Sequence, residues 1–594
     1  MKQPITISLV FLSLLGCSTA PAPNTRAPEA RVSLQPTECF PAPGLIDGDT
    51  IRCKTVKLPM GGTSAGDVEL FIAIIGRDVE GAAQAIFHMP GGPGASSESY
   101  APILASTYLP LSDATGKPVV IVDQRGTGRS TPFLECADAP EACLEAWAAA
   151  DIDPLAFTTP HAADDIAAVA GALGITSIDA WGASYGSRLA LETARRHGKL
   201  VRSLVIEAVD TAASPLDDAL DVRAALSRAS TECASDPACR AVVPDLAAAT
   251  DAAATALVDE PLPTQLGTLD AATFLSGVES LMMWARGTSL LPAYVAAVRD
   301  RDTAAVEALQ GALTTLPFPG GAFSVAMNTI VNCNDLAPFD AEAAIAGLDI
   351  EASDLLGQAR AAQSLQQYST ICSGWPIDPT MPAEPVTSDV PALVLAGAID
   401  SNTPLENAEL AAATLNNATV VAFPSTGHFV VHQGANPCGA SILAAYLLDP
   451  AAAIDTSCIA APQPVATLPA PAEATFQPTA IASLGFTADV PDGWVSFDGT
   501  SWRTAGGLLQ FALLSGQVSD IISAVGGQVG LDPATATEVD IGGAPWTQLN
   551  GPGIAILSTQ ADTSALTVVV AFSDGTDAAA FGQQVAASII PTGG

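Results

Sequence analysis

Three side chains, distant along 594 residues, have the types and settings needed to break an acyl bond: Ser184, Asp400 and His428. Ser184 lies in Gly182-Ala183-Ser184-Tyr185-Gly186, a G-x-S-x-G. A serine hydroxyl becomes a useful nucleophile only when a neighbouring base takes its proton. The same pattern recurs at Gly62-Thr63-Ser64-Ala65-Gly66, so the pattern alone decides nothing. A nucleophile elbow needs a strand, a sharp turn and a helix, which together lift the hydroxyl above the strand ends. SIDAW before Ser184 reads as a strand and SRLALETARRHG after it as a helix. Ser64 follows KLPMG, which does not read as a buried strand, and leads into another strand, DVELFIAIIG. Ser184 is the expected nucleophile.

Five histidines are available as the base: His88, His161, His197, His428 and His432. His88 precedes a Pro/Gly loop, His161 lies ahead of a helical pattern, and His197 falls in the last turn of the helix after Ser184. His428 and His432 follow the apolar run ATVVAFP. α/β-Hydrolases order their triad Ser, acid, His, with the histidine on a loop after the last strand. His428, in Thr426-Gly427-His428, fits that loop better than His432, whose plain reading is a packing or surface residue. The acid should follow the preceding strand, and PALVLAGAIDSNTP puts Asp400 there. Its work is to fix the imidazole tautomer and stabilise the imidazolium, without taking the proton itself. HMPGGPGASS, His88 to Ser97, is expected to present backbone N–H groups to a substrate oxygen, and the N–H of Tyr185 supplies a second donor.

These groups need a scaffold. DVELFIAIIG, AAQAIFHMP, PVVIVDQRG, SIDAWGA and RSLVIEA read as strands, and AADDIAAVAGALG and SRLALETARRHG as helices. Ala-rich helical patterns replace the strands from about Thr211 to Glu384, and strands resume at PALVLAG and ATVVAFP. Strand–helix alternation on both sides of a helical insertion predicts an α/β sheet carrying a cap at about 211–385. The hydrolase domain is set at 39–460, followed by a Pro/Ala linker at 461–478. Residues 479–594, with FTADVP, GLLQFALL, APWTQL, GIAILST and ALTVVVAFS as strands, predict a small α+β domain whose partner the sequence does not name.

The charge balance is extreme: 62 Asp and Glu against 23 Lys and Arg, a net charge of -39. Such a surface repels nucleic acid and anionic membranes and attracts cationic groups. MKQPITISLVFLSLLGC reads as an export signal, residues 1–17. Leu14-Leu15-Gly16-Cys17 resembles a bacterial lipobox in which Cys17 is acylated, the alternative being ordinary cleavage near Ser18-Thr19-Ala20. Residues 18–38 then form a flexible tether, and no later apolar run is long enough to cross a membrane. Without Cys17 ten cysteines remain, and their order suggests local pairs: Cys39–Cys53, Cys136–Cys143, Cys233–Cys239, Cys333–Cys372 and Cys438–Cys458. Sequence does not fix connectivity, but disulfides agree with export. The absence of C-x-x-C and of paired histidines speaks against a metal.

Five motifs in order carry a family resemblance. They are Pro90-Gly91-Gly92-Pro93-Gly94, Asp123-Gln124-Arg125-Gly126-Thr127-Gly128-Arg129-Ser130, the Ser184 elbow, Gly397-Ala398-Ile399-Asp400-Ser401-Asn402-Thr403-Pro404, and Gly427-His428. Together they resemble the S33 peptidases, the proline iminopeptidase and tripeptidyl aminopeptidase group of α/β-hydrolases. The likeness spans roughly residues 40 to 460, and NPCGASILAAYLLDP…SC looks like the tripeptidyl aminopeptidase branch. It implies Gly92 N–H as the first oxyanion donor, a structural role for DQRGTGRS, and a peptide substrate with a free N-terminus. It also implies a cap acid that holds the substrate ammonium; Asp335 is a candidate for it, the alternative being an acid that only faces solvent. No cofactor is implied. Two rivals stand beside this reading: an esterase or lactonase on the same fold, and a surface binding protein with a vestigial site.

Overall fold

The computed structural model describes residues 33–591, except for single residues and short stretches, the longest being 212–217, 284–289, 310–322, 337–347, 379–383 and 460–474. The expected signal, Cys17, most of the tether and most of the linker therefore lie outside the described residues, as does His432.

The first unit is built on a nine-stranded sheet. In chain order its strands are β1 (Leu34–Thr37), β2 (Ile51–Pro59), β3 (Asp67–Ile75), β4 (Gln84–Met89), β5 (Val119–Val122), β6 (Ser177–Ala183) and β7 (Val201–Glu207). The cap hairpin β8 (Leu262–Thr264) and β9 (Gly267–Leu269) intervenes before β10 (Ala392–Gly397) and β11 (Ala418–Phe423) complete the sheet. The spatial order is β1-β2-β3-β5-β4-β6-β7-β10-β11. β1, β2 and β3 run antiparallel at one edge, and from β5 onward every neighbour is parallel.

Successive residues of a strand face opposite sides, and this sheet is buried on both. Ile72 and Ile74, Phe87 and Met89, Leu204 and Ile206, and Val394 join one core. Phe71 and Ala73, Ile86, Val205, Leu393 and Leu395 join the other. The near-continuous apolar runs of the parallel strands follow from that double burial. β2 was not legible as a strand, because Arg52, Lys54 and Lys57 interrupt its buried positions. Lys57-Leu58-Pro59 closes β2, and the turn holding Ser64 joins β2 to β3, so a strand does precede this serine, and another follows. β1 begins inside the stretch expected to be tether.

The helical insertion contains Asp218–Ser235, Pro237–Val242, Leu246–Asp259, Ala271–Met283, Leu291–Arg299, Val325–Leu336 and Leu355–Leu365. Many of these residues share a separate apolar cluster that includes Leu226, Leu257, Phe274 and Val295. Contrary to expectation, one later run, Pro237–Asp259, is long and apolar enough to cross a membrane, with mean hydropathy 1.4. Here it forms two helices, separated where Asp245 caps the second, and Leu246, Ala253 and Leu257 are buried in the cap.

The C-terminal residues form an antiparallel seven-stranded sheet and a three-stranded one, with helices Val518–Gln528 and Ala578–Ala587. Trp494, Phe511, Val568 and Phe581 are among the residues of their main core. The first strand there, Phe476–Ile481, starts within the expected linker. All ten cysteines after Cys17 pair as their order suggested, giving five disulfides. Five such bonds fit a protein that folds in an oxidising, exported setting.

Candidate active site

In a parallel sheet all C-terminal strand ends lie along one edge, where ligands of open α/β folds bind. The loops after β4, β6, β10 and β11 all leave from that edge. β7 alone separates β6 from β10, so the strands that carry Ser184 and Asp400 lie about 10 Å apart.

Ser184 stands between β6 and the helix Tyr185–His197, with φ 56° and ψ -133°, a conformation that a side-chain-bearing residue rarely adopts. Its N–H donates to the Glu207 carbonyl at 3.0 Å, and its carbonyl accepts from Ser187 N–H at 2.8 Å. The flanking glycines are required by contact: a Cβ on Gly182 would strike the Gly186 carbonyl, and one on Gly186 the Met89 carbonyl. The turn is tight because three backbones meet there.

Asp400 and His428 are both buried, and His428 Nδ1 lies 2.9 Å from Asp400 Oδ2. Asp400 Oδ1 accepts from the N–H groups of Asn402 at 2.8 Å and Thr403 at 3.1 Å. Thr403 Oγ1 donates to Asp400 Oδ2 at 2.7 Å and stands 3.0 Å from His428 Nδ1. A carboxylate so supplied with donors stays oriented, and it holds Nδ1 as the protonated nitrogen, leaving Nε2 free as a base. The loops are joined directly, since Ile399 N–H donates to the Thr426 carbonyl at 3.2 Å. The cap holds the second loop, with His428 N–H donating to the Met283 carbonyl at 2.5 Å. A Cβ at Gly427 would strike the Met282 and Met283 carbonyls. Among the described residues no hydrogen bond joins Ser184 to His428. Catalytic hydrogen bonds often tighten only when substrate binds.

The loop after β4 is fixed at several points. Gly91 N–H donates to Tyr100 Oη at 3.2 Å, Gln124 Nε2 to the Pro90 carbonyl at 3.2 Å, and Ser97 N–H to Asp123 at 2.5 Å. Gly92 has φ 112° and Gly94 φ 113°, a region open to glycine. Gly91 packs against Ser184, whose Cβ lies 3.1 Å from where a Gly91 Cβ would stand. Among the described residues Gly92 N–H makes no hydrogen bond, and Tyr185 N–H, the first of its helix, has no carbonyl one turn behind it. Two free donors therefore flank the serine.

DQRGTGRS is a buried turn. Asp123 accepts from the N–H groups of Ser97 and Arg129, and burial pushes its carboxyl up to about 6 despite them. Arg125 pairs with Asp165 at 2.7 Å and donates to the Met60 and Ala156 carbonyls. The other described histidines have partners elsewhere: His161 with Thr158, His197 with Asp164, and His88 against the rings of Tyr100, Tyr108 and Trp181. Ser64 Oγ donates to the Asp151 carbonyl at 2.6 Å, a turn contact.

Asp335 does not lie open to a substrate. Its side chain has 0% exposure, and Oδ2 accepts from Arg188 Nη1 at 2.9 Å and Thr159 Oγ1 at 2.7 Å. Burial raises its carboxyl, with Arg188 opposing that shift. Its charge thus answers to Arg188, a partner 147 positions away that no local pattern reveals. Thr403 was also missed as a site residue, although its place three residues after the acid was the available signal.

Two families match parts of the chain: "alpha/beta hydrolase fold" at residues 85–236 and "TAP-like protein" at residues 358–458. Carboxylesterase B of Mycobacterium tuberculosis is 27% identical over 228 residues, covering 32% of this chain and 43% of that protein. A probable proline iminopeptidase of Streptomyces coelicolor is 35% identical over 121 residues, 20% of this chain and 31% of that one. The chain thus spans less than half the length of either relative. Among solved structures, the proline iminopeptidase of Mycobacterium smegmatis aligns with 67% of this chain and 98% of its own, at 20% identity and a TM-score of 0.34. Strand order and the two family matches agree on an α/β-hydrolase fold, in which residues 358–458 are similar to the TAP-like family.

Proposed function

We propose that the protein is an exported serine exopeptidase that hydrolyses peptides from a free N-terminus. The observation that carries this is the buried Asp400–His428 pair on the same sheet edge as the strained Ser184 elbow. His428 takes the Ser184 proton as the hydroxyl attacks the scissile carbonyl, forming the C–O bond of a tetrahedral intermediate. Gly92 and Tyr185 N–H groups receive the oxyanion. The imidazolium, steadied by Asp400, returns the proton to the leaving amine as the C–N bond breaks. Water, deprotonated by His428, then attacks the acyl carbon, and the C–O bond to Ser184 breaks as His428 returns that proton to Ser184 Oγ.

The net charge of -39 suits a cationic N-terminus, although Asp335 is committed to Arg188 and another group must meet the ammonium. Acylation of Cys17 would hold the enzyme to a membrane face. The second reading, a carboxylesterase, is favoured by the name of the mycobacterial relative.

One comparison separates them. Amino-acyl and tripeptidyl p-nitroanilides, free and N-acetylated, are assayed beside p-nitrophenyl butyrate. The peptidase reading requires anilide turnover that acetylation abolishes. Ester turnover with no action on any anilide would replace it with the esterase reading.

A further inference from the structure

The helix Val325–Leu336 carries polar residues in a pattern that its burial does not call for. Asn328, Asn332 and Asp335, with Ser324 just before the helix, fall at intervals of four, four and three, which places them on one face. Polar groups turned inward are costly unless each is bonded. Here, Asp335 Oδ1 aside, the stripe is bonded, at one end to the Gly92 loop and at the other to the Ser184 elbow.

At the first end, Ser324 N–H donates to the Gly94 carbonyl at 3.0 Å, and Asn328 Nδ2 to the Pro93 carbonyl at 2.9 Å. A Cβ on Gly94 would strike the Ser324 carbonyl, so helix entry and loop are in direct contact. Asn332 lies between the ends, 3.5 Å from Asn328 Oδ1 through Nδ2 and 3.5 Å from Arg188 Nη1 through Oδ1.

At the second end, Thr159 Oγ1 donates to Asp335 Oδ2, so its hydrogen is spent and Tyr185 Oη donates to it at 2.8 Å. Arg188, one turn beyond Tyr185, pairs with Asp335 and lies 5.5 Å from the Tyr185 ring centroid. Its other nitrogen binds both oxygens of Asp210 at 2.7 Å. Asp210 N–H donates to Ser187 Oγ at 2.9 Å, which donates to the Ser184 carbonyl at 2.7 Å. The chain of bonds ends on the backbone of the serine itself.

We infer that helix Val325–Leu336 is a strut that sets the spacing between the two oxyanion donors, with Asn328 and Asp335 as its positioning residues. An α-helix rises about 1.5 Å per residue and resists compression, so a fixed number of residues between these contacts fixes a length. The catalytic meaning rests on the reading of Gly92 and Tyr185 given above; the mechanical link does not.

The test uses the full chain with Asn328→Ala and Asp335→Asn. Hydrogen exchange is followed in segments 89–97 and 183–190, beside kcat, KM and the inhibition constant of a boronic acid that mimics the tetrahedral adduct. Each variant should speed exchange in both segments, lower kcat by about tenfold or more, and weaken the boronate in parallel, while KM stays within about threefold. A loss of stability alone would leave kcat per labelled serine and the boronate affinity unmoved, and that result overturns the strut. Exchange that rises only at the mutated end overturns it as well. A wild-type chain without any hydrolase activity would sink the catalytic reading, and exchange in the two segments would still decide the mechanical link.

Discussion

Asp400 Oδ2 is shared: it lies 2.9 Å from His428 Nδ1 and accepts the Thr403 hydroxyl at 2.7 Å. Together with two N–H groups on Oδ1, these donors leave the carboxylate one way to sit. The orientation of the His428 ring is thus set by a loop that follows β10. Asp400→Asn keeps the shape and loses the preference for a proton on Nδ1. Steady-state kinetics should show kcat falling by about 10³ to 10⁴ with little change in Tm. Activity within tenfold of wild type would remove Asp400 from the mechanism.

Thr403 supports the same pair through its hydroxyl. Thr403→Val removes one hydrogen bond to a charged oxygen, worth roughly 1.5–3 kcal/mol. A tenfold or greater fall in kcat, on the order of that energy, is expected, with KM within about twofold. Thr403→Ser should restore most of the loss.

The elbow glycines differ from ordinary glycines. Gly186→Ala forces a Cβ against the Met89 carbonyl, where backbone must move, and should cost about 1–3 kcal/mol of stability as well as activity. Gly171→Ala is the control: nothing stands within 4 Å of its Cβ, and it lies in the helix Thr159–Ala172. That change should leave activity unaltered and raise stability by about 0.5–1 kcal/mol in thermal melts.

Much of this arrangement was legible because parallel strands buried on both faces leave apolar runs such as VVIV and ALVLAG. A strand–turn–helix boundary around Ser184 gave the elbow. Close spacing of cysteines gave the disulfides, the widest pair being separated by 39 positions. What stayed hidden has other causes. β1 is exposed along most of its length and is held by pairing to β2, so no burial pattern marks it. Asp335 carries no sign of Arg188, because an ion pair between distant elements leaves no periodic trace. Acidic residues in a cap read alike until their burial is known.

Asp123 gives stability a pH dependence with a definite sign. Its ordinary value of 3.8 holds in the unfolded chain, whereas burial raises it to about 6 in the folded one. Between those values the folded protein binds the extra proton, so its stabilising effect is full below about 4 and is lost as pH rises through about 6. The span corresponds to something on the order of 3 kcal/mol. Burial also raises Asp165, Asp335 and Glu279, so Asp123→Asn should remove part of the decline in Tm between pH 4 and 7. An unchanged slope in that variant would show that Asp123 does not titrate in this range.

The central claim is that Ser184 is a nucleophile activated by His428. A fluorophosphonate probe followed by peptide mass spectrometry tests it most directly. The account predicts one labelled residue, Ser184, with labelling abolished in Ser184→Ala and slowed by about 10³-fold or more in His428→Ala. Label on another serine, or undiminished labelling of Ser184 without His428, would contradict it.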